Sequence, residues 1–174
     1  MLTQKFHHNP YLIWGYSTSQ HLLLDLDNTT VSKVEKLVTI IQHEYKDVGS
    51  ALIVESSPPK TADIHLQHCT GLHRSIQRRQ LGNYHVIFSN RLSWDRIMKI
   101  VRTLAELQIL NKDYIKIRGF RGDLTLRVSK KVTPDGVKEV PKPICTLFKY
   151  AENDGNYIDD YLRLLYFFEF RFDS

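Results

Sequence analysis

The sequence predicts an α+β fold, with a mixed or antiparallel sheet and helices packed on one side. Three observations predict it. Short segments rich in β-formers recur at 21–27, 51–54 and 83–89, two amphipathic stretches at helical spacing alternate with them, and a run of alternating residues at 114–128 suggests a strand pair. Regular strand–helix alternation, the mark of a parallel sheet, does not extend into the second half.

The first ten residues read as a polar lead-in, followed by the short apolar segment Tyr11-Leu12-Ile13-Trp14 and Gly15. His21-Leu22-Leu23-Leu24-Asp25-Leu26-Asp27 is too short for a helix of this composition and reads as a strand. Ser32-Lys33-Val34-Glu35 has the form of a capping box. Val34, Leu37, Val38, Ile41 and Tyr45 then recur at helical spacing. Ala51-Leu52-Ile53-Val54 is a second strand. Residues 56–82 are polar and rich in His and Arg, which predicts a long functional or mobile excursion.

Asn83-Tyr84-His85-Val86-Ile87-Phe88-Ser89 is a third strand. Ser93 is placed to cap a helix with Trp94, Ile97, Val101, Leu104 and Ala105 along one face. Residues 114–117 and 124–128 alternate on either side of Gly119 and Gly122 and read as a strand pair. Residues 132–143, with three prolines, read as a short linker, and the apolar segments 144–150 and 164–172 as further strand.

A chain of 174 residues fits a single domain, 1–174, that buries roughly 70% of its unfolded surface. Hydrophobic residues are 42% and charged residues 25%, which excludes a wholly disordered chain. The net charge of +5 favours an anionic partner such as nucleic acid or nucleotide. Cys69 and Cys145 form no disulfide framework, so an intracellular, cytoplasmic and reducing setting is expected. No apolar run reaches the ~20 residues of a membrane span, and the first residues lack a signal-peptide core, so no membrane partner is expected.

Asp25 and Asp27 are the sharpest chemical feature. Two residues apart in a strand, they leave the same face with Cα atoms roughly 6.6–6.8 Å apart. Carboxylates so placed repel one another unless a cation lies between them, and they suit one or two Mg²⁺ or Mn²⁺ ions. The alternative is a solvated strand end paired with Lys or Arg. His85 shares a strand face with Asn83, Ile87 and Ser89; it is either a satisfied core residue or a donor to a phosphate oxygen. Arg127, with Arg121, Lys130 and Lys131 nearby, offers a guanidinium fork to phosphates or a merely charged outer face. Asp113, at the head of the 114–117 segment, is a better third carboxylate than Asp123, which sits in a turn.

These residues, taken in order, resemble the three motifs of the archaeo-eukaryotic primase superfamily. Leu22-Leu23-Leu24-Asp25-Leu26-Asp27 is similar to its first motif, Gly82-Asn83-Tyr84-His85 to its second, and Asp113 with the strand 121–130 to its third. Asn83 stands where the family more often has Ser. The resemblance covers about residues 11–131. It implies an RRM-like palm that transfers nucleotides onto a growing strand by a two-metal mechanism. Asp25, Asp27 and Asp113 would hold two Mg²⁺ or Mn²⁺ ions, and His85, Asn83, Arg121, Arg127 and Lys130 would bind the nucleoside triphosphate. The implied partners are a single-stranded DNA template and a helicase or other replication protein.

Two other readings stay open. Asp25-Leu26-Asp27-Asn28-Thr29 also resembles the nucleophile loop of haloacid dehalogenase-like phosphatases, with Asp25 as nucleophile and a distal acidic pair at Asp159 and Asp160. A catalytically inactive nucleic-acid-binding module would instead stack bases on Tyr16, Tyr84 or Phe120. His65, His68, Cys69 and His73 form a possible zinc cluster, and Arg74, Arg78 and Arg79 possible phosphate contacts, in the 56–82 excursion.

Overall fold

The computed structural model describes residues 2–6, 12–57, 81–133, 136–138, 140–147 and 156–171. Its central sheet is built from β3 (Leu23–Thr29), β4 (Ala51–Ser57), β5 (Gly82–Phe88) and β9 (Lys142–Leu147), in the order β3-β5-β4-β9, and every neighbouring pair is antiparallel. A second antiparallel sheet joins β1 (Leu2–Phe6), β2 (Leu12–Thr18) and β6 (Leu124–Arg127), with β6 lying beside β3. β7 (Lys131–Thr133) and β8 (Gly136–Lys138) form a separate hairpin. The α+β class expected from the sequence is what the chain adopts.

Helix α1 (Val31–Glu44) starts two residues earlier than a Ser32 capping box implies. Thr30 is the N-cap: its backbone is extended, and its Oγ1 accepts the Lys33 amide at 3.3 Å. That start lets Val31 join Val34, Val38 and Ile41 in the core. Helix α2 (Trp94–Glu106) begins at Ser93, whose Oγ accepts the Arg96 amide, and buries Ile97, Ile100, Val101, Leu104 and Ala105. Arg96 also makes two hydrogen bonds to Asp47, at 2.8 and 3.0 Å, and lies over the Tyr45 ring, tying α2 to the turn after α1. In that turn Gly49 has φ +80, and a Cβ there would lie 2.4 Å from Asn90 Oδ1 and Ser89 Oγ, so the close approach of the 89–90 loop requires glycine.

Expectations for four further segments are corrected. Residues 112–121 are helix α3 (Lys112–Arg121), not a strand; β6 pairs instead with β2, with Gly15 opposite Arg127. Asn111 Oδ1 accepts the Asp113 amide at 2.9 Å to start α3, and Gly122, at φ +69, ends it. The aromatic C-terminal segment is helix α4 (Asn156–Arg171), whose buried residues Ile158, Tyr161 and Leu165 follow helical rather than strand spacing. The expected linker at 132–143 contains the β7–β8 hairpin and the start of β9. The polar lead-in contains strand β1.

The helices are not confined to one side. Tyr84 faces α1, where its hydroxyl meets the Val31 backbone, and burial next to Glu55 pushes its pKa up to about 12. His85, its neighbour on the opposite face, meets Tyr161 of α4. The sheet is therefore sandwiched, and both Tyr84 and His85 are buried. Among the described residues no helix is long and apolar enough to cross a membrane.

Candidate active site

Asp25 of β3 pairs directly with His85 of β5, and Leu23 with Ile87, so the acidic strand and the histidine strand are adjacent and present these residues on one face. Beyond Leu26 the register shifts before Thr29, and Asn28 takes a left-handed conformation, φ 52. The bulge is braced from the neighbouring strand: Asn83 Oδ1 accepts the Asn28 amide at 2.9 Å. Asn83, expected to touch nucleotide, has its carbonyl oxygen committed to shaping the backbone next to Asp27.

Asp25 and Asp27 line a cleft of about 490 Å³. Its other walls are Ala105, Gln108, Ile109, Leu110, Asn111 and Lys112, from the end of α2 to the start of α3. The Asp25 side chain is 40% exposed. Partial burial, and then the charge of Asp25, hold the Asp27 carboxyl above its usual range, while Lys138 on β8 pulls it the other way. Two carboxylates that destabilise one another's charge at a cleft wall attract a divalent cation.

His85 is on the predicted face but inside the protein. Its side chain is 4% exposed, with Nε2 3.7 Å from Asp25 Oδ1 and Nδ1 3.4 Å from the Tyr161 hydroxyl. Burial, reinforced by the Arg127 charge, lowers its pKa to about 3, so the imidazole is neutral at physiological pH. Tyr161 is wholly buried; its ring packs edge-on against Tyr16, at 5.6 Å between centroids, and its hydroxyl lies 3.5 Å from the Arg127 carbonyl oxygen.

Arg127 does not present a fork to an outer face. Its guanidinium donates to the backbone carbonyls of Ser129, Ser56 and Lys138, clamping β6, β4 and β8 together. Lys130 is half-buried beside this clamp, and Arg121 is exposed at the end of α3. Asp113 occupies the first turn of α3, not the head of a strand; it is exposed and lies 3.9 Å from Lys116. Among the described residues, no group of three or more His, Cys, Asp or Glu side chains is placed to share a metal ion. Asp25 and Asp27 remain a suitable pair for Mg²⁺, which is commonly held by one or two carboxylates together with substrate phosphates.

The chain matches no family model, no curated protein and no solved structure.

The sequence reading missed the wall at 105–112. α2 ends in a Schellman motif: the Gln108 amide donates to the Ala105 carbonyl and the Ile109 amide to the Leu104 carbonyl. Glycine usually fills the left-handed position of that motif, but here it is Gln108, at φ 59, so no sequence signal marked the stop. Asn111 as a helix cap was the readable clue. Lys138 also went unassigned, because it lay in the supposed linker. His65, His68, Cys69, His73, Arg74, Arg78 and Arg79 lie outside the described residues. Asp159 and Asp160 are exposed on α4, and Asp123 is half-buried in the turn before β6.

Proposed function

We propose that this chain is the catalytic palm of a primase-polymerase, a nucleotidyltransferase that joins nucleoside triphosphates on a single-stranded DNA template. The observation that carries the reading is the cross-strand pair of Asp25 and His85, with Asp27 two residues further on and an open cleft beside both carboxylates. The order β3-α1-β4-β5-α2, with β5 between β3 and β4, supports an RRM-like palm. Asp25 and Asp27 would hold Mg²⁺ or Mn²⁺, which would supply charge neutralisation at the substrate's phosphates. The chain's own contribution is positional: the Asn83–Asn28 brace sets the strand end that carries Asp27, and neutral His85 supports Asp25 from beneath. In the reaction a 3′-hydroxyl attacks the α-phosphate and pyrophosphate leaves.

The surplus of basic residues suits a template strand, and a helicase or other replication protein is the partner this activity calls for. The phosphatase reading is less well supported, since that fold uses a parallel sheet and β3, β5, β4 and β9 are antiparallel. A base-stacking module is likewise less well supported, because Tyr16 and Tyr84 are buried; the Phe120 side chain lies outside the described set. The test is primer synthesis and extension on single-stranded DNA with labelled nucleotides and Mg²⁺ or Mn²⁺. Metal-dependent products that vanish in D25N/D27N support the reading, and undiminished products from the double variant overturn the site.

A further inference from the structure

The cleft beside Asp25 and Asp27 has a second wall, to which the sequence assigned no role. This wall is the continuous segment 108–112, held at one end by the Schellman turn after α2 and at the other by the Asn111 cap of α3. Backbone hydrogen bonds fix one end and a side-chain cap the other, so the wall is formed before any ligand arrives. A volume of about 490 Å³ lies within the ordinary range for small-molecule sites.

The chemistry of the wall is divided. Among the described residues lining the cleft, Lys112 alone carries a positive charge, and it is exposed. His85 is buried and neutral, and the Arg127 guanidinium is committed to three backbone carbonyls, and neither lines the cleft. Ile109 is 39% exposed and supplies apolar surface, with the amides of Gln108 and Asn111 to either side. Carboxylates on one wall face a cation, amides and an apolar side chain on the other. That combination suits a ligand with a polyanionic end and a flat, partly apolar end, the latter meeting groups that can hydrogen-bond it.

We infer that segment 108–112 is the recognition wall for a nucleoside triphosphate, with Lys112 contacting the phosphates and Ile109 packing against the nucleoside. The inference deepens the nucleotidyl-transfer reading and rests on it. It also moves the phosphate contact from His85, Asn83 and Arg127 on the strands to Lys112, the first residue of α3.

The test measures binding rather than turnover. Full-length protein with Mn²⁺ is titrated with inorganic triphosphate and with dATP and ATP by calorimetry, and bound Mn²⁺ is followed separately by its paramagnetic resonance signal. K112A should weaken inorganic triphosphate and both nucleotides at least tenfold, K112R should restore most of that loss, and Mn²⁺ binding should be unchanged in both. I109S should weaken the nucleotides several-fold while leaving inorganic triphosphate unaffected. If the wild-type protein binds Mn²⁺ but none of the three ligands, the nucleotidyl-transfer reading fails and this inference with it. If the wild type binds them, D25N/D27N abolishes that binding and K112A does not alter it, the site stands and the wall assignment alone is overturned.

Discussion

The Tyr161 hydroxyl lies 3.4 Å from His85 Nδ1, so a residue of the C-terminal helix closes the inner side of a histidine on the central sheet. Below it the other ring nitrogen faces Asp25. The imidazole is thus enclosed between α4, Arg127 and the carboxylate face, and its charge state is coupled to folding.

That coupling fixes the direction of a pH effect. The folded pKa of His85, about 3, is below its unfolded value near 6.5, so the unfolded chain binds the extra proton between these limits. The stability contributed by the neutral ring is fully present above pH 6.5 and is lost as pH falls toward 3. Asp27 and Glu55, whose folded pKa values are raised, work the other way and offset part of the loss at the acid end. Thermal unfolding from pH 7.5 to 4 should lose roughly 2–4 kcal/mol through His85. H85N should show a visibly flatter profile; an unchanged slope would mean that the ring is protonated in the folded protein.

A second prediction concerns Arg127. Three carbonyls from β4, the β6–β7 connection and β8 converge on one guanidinium. R127M would leave them without their donor, at a cost of about 3 kcal/mol. R127K should recover little of this, because an ammonium lacks the planar fork that spans separated acceptors. Urea unfolding midpoints would show both effects, and a near-neutral R127K would argue against a clamp that depends on that geometry.

How much of this was readable in advance depended on period. β3, β5, α1 and α2 were legible because leucines and valines repeat at two or at three to four residues, and because Ser93 announces its helix. That Asp25 lies opposite His85 was not legible: alternation gives each residue's face within its own strand, not which strands lie side by side. Segment 112–121 was misread because Tyr114, Ile115 and Ile117 are β-formers and Gly119 and Gly122 look like a hairpin. The helix wins through the Asn111 cap and the stop at Gly122. α4 was misread for the same reason: its aromatics suggest a strand, while the 158–161–165 spacing that decides for a helix emerges only once Tyr161 has a pocket to fill. Burial of His85 was one of the two readings its apolar strand allowed, and the choice between them was not legible, since nothing local says that α4 returns to cover the ring.

A third prediction tests the brace beside the carboxylates. N83A removes the acceptor of the Asn28 amide and should cost about 1 kcal/mol. N28G should be nearly neutral, because glycine accepts the positive φ that asparagine holds there, whereas N28V should cost about 1–2 kcal/mol. Chemical denaturation of the three variants ranks them. If N28G is destabilised as much as N28V, the left-handed bulge is not the conformation at this position.

The last prediction separates stability from function at Asp27. Its carboxyl is held above the usual range by burial and by Asp25, so its charge opposes folding at neutral pH. D27N removes that opposition and, after solvent screening of this partly exposed group, should raise Tm by about 1–2 °C in metal-free buffer. Saturating Mn²⁺ should act in the opposite sense on the pair of proteins. It should stabilise the wild type by about 2.7 kcal/mol at a hundredfold excess over Kd, and leave D27N almost unmoved. The two melting curves would therefore cross in order when the cation is added. A wild type indifferent to Mn²⁺, with D27N still the more stable, would identify the acidic pair as a strained strand end without a cation to hold.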